Sequence, residues 1–398
     1  MEEILMDILS RLPVKSLVRF NCVSKFWNTL ISQPYFKKKH LNHAKNQLSS
    51  QKLLSLPWPP NDADHNHLHF YSSSLSLVQL VKDIRIFDCP SNSNPREGIK
   101  VYCSCDGLFL IGIWTEPHVE QPSILLIWNP STRESTLLPH SKFMSLQLAH
   151  SSSDYDYDYD YEDGSDVGST YGLGYDSINN DYKVFRMDMS VDGKNEILSL
   201  KNGSWRIIEE TSSSGRTDCS MLSGGEFLAF VDRAFHWLGI LSKLCVVSFN
   251  ISSEVYREIP LPEIVCSLIL SRSRVEVEVD VGVSVLGGTL GVYYKDDGAF
   301  NLWVMKDVKD SWTKLFTIPT IEIYRVIPVY MFSDDQVLLY FQLDAITTSR
   351  FVYRIISVGS FGLSSQIWPL DCDDIDVVTI NEDGIVYTES LVSPKLGK

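Results

Sequence analysis

The sequence predicts a mainly β fold, a C-terminal β-propeller of about six partly irregular blades with a small N-terminal all-α domain. Three observations predict it. The first 46 of the 398 residues place apolar side chains at helical spacing. After Ser50 the chain turns to β-branched and aromatic runs separated by Gly, Asp, Asn and Ser. Those runs recur as one hairpin layout at a nearly constant interval.

The helical part comes first. Ile4, Leu5, Ile8, Leu9 and Leu12 recur at spacings of one, three and four, forming one helical stripe. Pro13 ends that helix, and a second runs over Val14 to Phe20 with Leu17 and Val18 inward. Ser24 is the N-cap of a third, whose apolar face is Trp27, Leu30 and Ile31. Pro34 breaks that helix, and Tyr35 to Lys45 reads as a last, basic one. Helices this short are marginal alone in water, so they must pack on one another and on something else.

The hairpins follow. SILLIWNPSTRESTLLP (123–139), VVSFNISSEVYREIPLP (246–262) and LWVMKDVKDSWTKLFTIP (302–319) each run from an apolar strand through a polar turn to an apolar-Pro step. Weaker copies occupy 197–210 and 351–370. Between them lie glycine or acidic turns leading into apolar runs, as in SCDGLFLIGIW (104–114) and NEDGIVYTESL (381–391). From Leu198 to Ser248 to Val304 to Arg354 the interval is 50, 56 and 50 residues. Four strands in about 50 residues is the period of kelch-like propeller blades. Five repeats are visible, and a sixth blade can form from 51–100 with the C-terminal strand 385–391, removing open sheet edges. The expected domains are a helical domain at 1–46, a linker with first strands at 47–100, and a propeller at 101–392 closed by strands from both ends. The Pro- and Asn-rich stretches 57–66 and 90–97 suggest no strands, and the Asp-Tyr run within 151–169 is expected to be a disordered acidic loop.

The formal net charge of −15 disfavours nucleic acid as a partner and suits a basic one. The run from Asp154 to Asp163 holds six acids and no base, so part of that charge is local. Eight scattered cysteines without paired CxxC clusters fit reduced thiols in a cytoplasmic or nuclear protein. The opening residues do not resemble a signal peptide, and no apolar run reaches membrane length, so no membrane association is expected.

With the motifs laid out, a resemblance is clear. MEEILMDILSRLPVKSLVRFNCVSKFWNTLISQPYFKKKHL resembles the F-box in its plant form, with the RLPVKSL centre and the CVSKFW step. NPSTRESTLLP, YGLGYDSINNDYKVFRM, FNISSEVYREIPLP and LWVMKDVKDSWTKLFTI resemble the plant F-box-associated (kelch-like) interaction domain; S-locus F-box proteins are similar in pattern. The resemblance implies a non-catalytic substrate adaptor of a Skp–cullin–F-box ubiquitin ligase, without cofactor or metal. It would bind a Skp-family adaptor, and through it the cullin core, by the F-box, and an unknown target protein by the propeller. The matching adaptor-binding positions are Ile4, Leu5, Ile8, Leu9, Leu12, Pro13, Leu17, Phe20, Cys22, Val23 and Trp27. F-boxes usually carry a Leu-Pro dipeptide a few residues before the position of Glu2; either the start is truncated or the module works without that contact, and adaptor binding is expected to be weaker than for a full-length F-box. If the S-locus likeness is close, a basic secreted ribonuclease is one candidate target.

Other patterns read as structure. His65, His67 and His69 with Cys103 and Cys105 fit no structural zinc spacing and read as a polar strand and core thiols. His236 reads as a packed core histidine, and YGLGYDS and LGGTLG as blade turns lacking the lysine of a phosphate loop. Trp205, Trp237, Trp303, Trp312 and Trp368 read as core residues between blades. No catalytic set emerges. The competing reading is a propeller enzyme or carbohydrate-binding protein with an incidental helical start.

Overall fold

A computed structural model describes residues 2–396 except 57–68, 76–84, 91–97, 117–120, 142–168, 189–193, 209–219, 222–227, 241–242, 273–279, 297, 307–310, 320–322, 334, 344–349, 358–366 and 369–383. Four helices open the chain: α1 (Glu2–Leu9), α2 (Val14–Phe20), α3 (Lys25–Ser32) and α4 (Pro34–Lys45). The local signals act as their chemistry requires. The Ser24 hydroxyl accepts from the Trp27 N–H at 3.3 Å and caps α3, while Pro34 stands in the first turn of α4, where a missing N–H costs nothing.

Six antiparallel sheets follow, which we number as blades from the inside outward. Blade I is Ile385–Thr388, Gln51–Ser55, His69–Ser74 and Arg85–Asp88; blade II is Gly98–Cys105, Leu108–Trp114, Ile124–Asn129 and Glu134–Leu137. Blade III is Ser169–Asp176, Asp181–Asp188, Glu196–Ser199 and Ser204–Ile207. Blade IV pairs both Ala229–Val231 and Ser220–Met221 with Ala234–Ile240, followed by Leu244–Asn250 and Val255–Pro260. Blade V is Asp280–Leu286, Thr289–Lys295, Ala299–Lys306 and Ser311–Pro319; blade VI is Ile323–Met331, Gln336–Leu343, Arg350–Ser357 and Ile367–Trp368. The innermost strands touch in cyclic order, so the sheets form a closed ring. In blade I the two ends of the chain meet: Gln51 pairs with Thr388 and Leu54 with Ile385. The closing strand Ile385–Thr388 thereby covers the inner hydrogen-bonding edge of Gln51–Ser55, which would otherwise be a template for aggregation.

The core is apolar side chains pressed between neighbouring blades. Phe185 of blade III stacks on Phe235 and Phe249 of blade IV at 5.4 and 4.8 Å between ring centres. Trp237 and Trp303 are buried there, as read from the sequence, while Trp205 and Trp312 are half-buried at the rim; the Trp368 side chain lies outside the described residues. Polar staples accompany the apolar core. Asp176 is fully buried, pairs with Lys183 at 2.8 Å, and accepts from the Ser252 hydroxyl of blade IV at 2.7 Å. Burial opposes its charge, but bonds from Lys183, Asn179 and Ser252 outweigh burial and hold its pKa below the usual carboxylate range. Arg186, with no exposed surface, pairs with Asp188 at 3.1 Å and Glu196 at 2.9 Å. A buried arginine needs such partners, because an unpaired buried charge is costly.

One element departs from the strand-and-turn expectation: α5 (Glu263–Arg272) lies between blades IV and V. Val265 and Ile269, one turn apart, are buried in the cluster joining those blades. Its short apolar run, IVCSLIL, gives no period that separates helix from strand, and Pro262 ahead of it tips the choice. Of the other patterns, His65 and His67 and the Asp-Tyr run lie outside the described residues. His69 pairs with Asp88 at 3.2 Å. Cys103 accepts from the Leu173 N–H at 3.1 Å, and burial pushes its thiol up to about 12. His236 is buried between the Ala229 carbonyl and the Ser248 hydroxyl.

Candidate functional site

The four helices share one small core of Met6, Leu9, Val14, Leu17, Leu30, Ile31 and Phe36. His40 of α4 ties it to the α1–α2 turn, its Nε2 meeting the Leu12 carbonyl at 3.0 Å, and burial lowers the His40 pKa. Asp7 of α1 is paired with Lys39 of α4.

What the core leaves outside is the candidate site. A helix turns about 100° per residue, so the stripe of α1 is too broad to be buried whole. It divides. Leu9 is 4% exposed and Leu5 half-buried, facing inward with Met6, while Ile4 and Ile8, one turn apart, are 64% and 56% exposed. Leu12 is half-buried and Pro13 exposed. Beyond α2, Cys22 is exposed and Val23 is 67% exposed. Phe20 and Trp27 are half-buried, their rings 5.8 Å apart. Phe26 packs edge-on to Trp27 at 5.9 Å and is itself 53% exposed.

Two expected contact residues are therefore placed differently. Leu9 and Leu17, at 4% and 0% exposure, belong to the module's interior. A module this small must spend one apolar residue per turn on its own core, and these two fill that need. Phe26 joins the exposed set, although the sequence reading passed over it. The available signal was the Phe26-Trp27 pair: adjacent helical positions diverge by about 100°, so a small core cannot take both.

An exposed apolar set of this kind has the character of an interaction surface. The half-buried Trp27, in contact with Phe20 and Phe26, is of the residue type that dominates binding energy. The surroundings are basic. Residues 2–50 carry Glu2, Glu3 and Asp7 against eight Lys and Arg, so the module opposes the acidic sign of the whole chain.

The module stands on one face of the ring. Lys45 at the end of α4 reaches Asp106, in the turn between the two inner strands of blade II, at 2.6 Å. Tight turns line that face, held by left-handed residues at Asp106, Arg133, Asn180, Asp232 and Glu254. The connections from one blade to the next leave and return at the opposite face. There α5 sits, with Ile264 57% exposed. Among the described residues no three His, Cys, Asp or Glu side chains group as a metal site, and no helix is long and apolar enough to cross a membrane.

The model of the F-box domain matches residues 2–39, and that of the F-box associated beta propeller domain matches residues 62–339. The chain is similar to F-box protein CPR1 of Arabidopsis thaliana, with 30% identity over 79% of this chain and 72% of that one. It is also similar to an F-box/kelch-repeat protein of the same plant, At3g23880, with 27% identity over 80% of this chain and 79% of the relative. Among solved structures, TolB from Acinetobacter baumannii superposes with a TM-score of 0.44 at 9% identity, covering 82% of this chain and 68% of TolB.

Proposed function

Because the chain belongs to the plant F-box proteins that carry an F-box-associated β-propeller domain, we propose that it is the substrate-recognition adaptor of a Skp–cullin–F-box ubiquitin ligase. The F-box binds a Skp-family adaptor and, through it, the cullin core. The propeller binds a target protein. The chain itself makes and breaks no bonds; it holds a target lysine near the charged ubiquitin carrier, raising the effective concentration of one at the other.

The observation that carries this reading is the exposed apolar set of the helical module: Ile4, Ile8, Val23 and Phe26, with Trp27 half open. Covering such side chains is worth roughly 1.5–3 kcal/mol each. Several together can support a stable complex after the cost of association. The basic character of the module suits an acidic adaptor surface.

The target is held at the face of the ring opposite the F-box. The near face is made of tight hairpin turns and carries the module, whereas the connections between blades open on the far face. Connections that can change length and sequence without disturbing the sheets are where recognition develops. The net charge of −15 favours a basic target, and free thiols among the described residues support a cytoplasmic or nuclear location.

The test is reconstitution. The full chain, mixed with a Skp-family adaptor and a cullin, should elute as one complex of equal stoichiometry. A folded chain that elutes apart from the adaptor overturns the proposal.

A further inference from the structure

The junction of F-box and ring is short and hydrogen-bonded. Only residues 46–50 separate the end of α4 from the first ring strand, and their surroundings are tied on both sides. Gln51 donates through Nε2 to the Ala44 and Lys45 carbonyls, both at 3.3 Å, and its Oε1 accepts from the Thr388 hydroxyl at 3.0 Å. The Glu389 N–H donates to the Ser50 carbonyl at 2.9 Å.

The end of the chain tightens this joint. Ser390 is fully buried, and its hydroxyl donates to the Asp106 carbonyl at 2.6 Å. Asn129 of blade II donates to the carbonyls of Ser390 at 3.1 Å and Val392 at 2.7 Å. Leu391, the very next residue, lies at 4% exposure inside the F-box core with Met6, Leu9, Leu17 and Phe36. Consecutive residues thus serve two domains. Asp106 is where the lines cross. One carboxylate oxygen meets Lys45 of the F-box at 2.6 Å, the other accepts from Tyr182 of blade III at 2.8 Å, and its backbone carbonyl holds Ser390. The Asp106 side chain is 8% exposed, whereas that of Lys45 is 50% exposed. Burial opposes the charge on Lys45, and the Asp106 carboxylate outweighs it, raising the lysine pKa.

From this arrangement, and resting on the adaptor reading above, we infer that residues 389–396 form a strap that fixes the direction in which the F-box projects from the ring, with Asp106 as the positioning residue. The strap reaches its place only when the ring has closed, because it follows directly from the closing strand Ile385–Thr388. A fixed direction matters for a proximity mechanism. An adaptor that swivels spreads the target over many positions relative to the ubiquitin carrier and lowers the effective concentration of each.

The experiment uses the full chain with spin labels encoded at the exposed positions Lys38 and Asn202, and reads the distance distribution by double electron–electron resonance. The unmodified chain should give one narrow distance. Asp106→Asn and Lys45→Met should each widen it while the affinity for the Skp-family adaptor stays unchanged; Asp106→Asn should also keep the thermal midpoint of the ring, whereas Lys45→Met lowers it, because the buried Asp106 carboxylate loses its cation. The affinity, and the midpoint of Asp106→Asn, separate positioning from mere stability. Lys45→Met leaves Asp106 with Tyr182 and Ser390, so the contacts within the ring stay in place if Asp106→Asn loosens them. Leu391→Ala should widen the distribution by the other arm of the strap. A distribution that stays narrow in Lys45→Met and Leu391→Ala overturns the inference. Because the distances are read without the adaptor, a failure to bind it would count against the adaptor reading alone.

Discussion

The indole of Trp205 donates to the carbonyl of Pro139 at 2.7 Å, joining the outermost strand of blade III to the end of blade II. The same latch recurs around the rim. Trp312 of blade V donates to Pro260 at the end of blade IV, also at 2.7 Å. The Ser135 hydroxyl of blade II donates to the Pro90 carbonyl beyond blade I at 3.4 Å, and Tyr256 of blade IV accepts from Asn195 of blade III at 2.9 Å. All four sit at the same register, the second residue after the outer hairpin turn. The apolar-Pro steps that close two of the hairpin motifs, at Pro139 and Pro260, thus present their carbonyls to the next blade.

Replacing Trp205 or Trp312 by Phe removes the donor and keeps most of the ring. Each substitution should cost about 1 kcal/mol, the usual net value of one such bond. Blade IV separates the two residues, so the double variant should lose the sum of the single losses. Urea unfolding checks this, and unchanged stability in both single variants would show that the latch is incidental.

Exposed and buried positions in the F-box should separate binding from folding. Ile8→Glu places a charge on the outer face, where Ile8 is 56% exposed, so stability should hold within about 0.5 kcal/mol while capture of a Skp-family adaptor is lost. Leu17→Ala empties a site with no exposure and should cost about 2–5 kcal/mol of F-box stability. Calorimetry beside a binding titration reads both effects. Intact binding by the folded Ile8→Glu protein would move the interface elsewhere.

These outcomes mark how far residues alone lead. Hairpins with polar turns and a common interval are local features, and each has its pair of strands in the structure: 123–139 gives Ile124–Asn129 and Glu134–Leu137, and 302–319 gives Ala299–Lys306 and Ser311–Pro319. Faces are harder. Leu5, Ile8 and Leu9 look alike in a helical stripe, and only the position of α2 and α4 decides which of them is covered. Leu391 was beyond reach, because its partners in the F-box core stand more than 350 residues earlier. The strap carries no periodic signal that could connect the two.

Gly107 should tolerate no side chain. Its φ is +80°, in the left-handed region, and a Cβ there would stand 2.5 Å from the Thr388 carbonyl oxygen and 2.7 Å from Ser390 Oγ. Gly107→Ala would push the closing strand and the strap away from blade II. A loss of at least about 2 kcal/mol is expected, from backbone strain and displaced packing together. Hydrogen exchange should show faster exchange first at 385–392, and protection unchanged there would contradict the close approach.

The pH dependence of stability should carry the signature of His236. Burial holds its pKa at about 4, below the ordinary 6.5. The neutral ring matches its surroundings: one nitrogen donates to the Ala229 carbonyl and the other accepts from Ser248. Above pH 6.5 the residue is neutral in both folded and unfolded chains, and its contribution is complete. As pH falls from 6.5 toward 4, the unfolded chain takes up a proton that the folded one refuses, so stability declines. The full loss from this residue is about 3 kcal/mol. His40, also lowered by burial, acts in the same direction, whereas Asp176, held below the carboxylate range, keeps its contribution until pH drops further. His236→Gln retains a donor and an acceptor without a titrating group. Its urea midpoint should therefore fall less than that of the parent protein between pH 7 and pH 5. Parallel declines in the two proteins would remove His236 as the source.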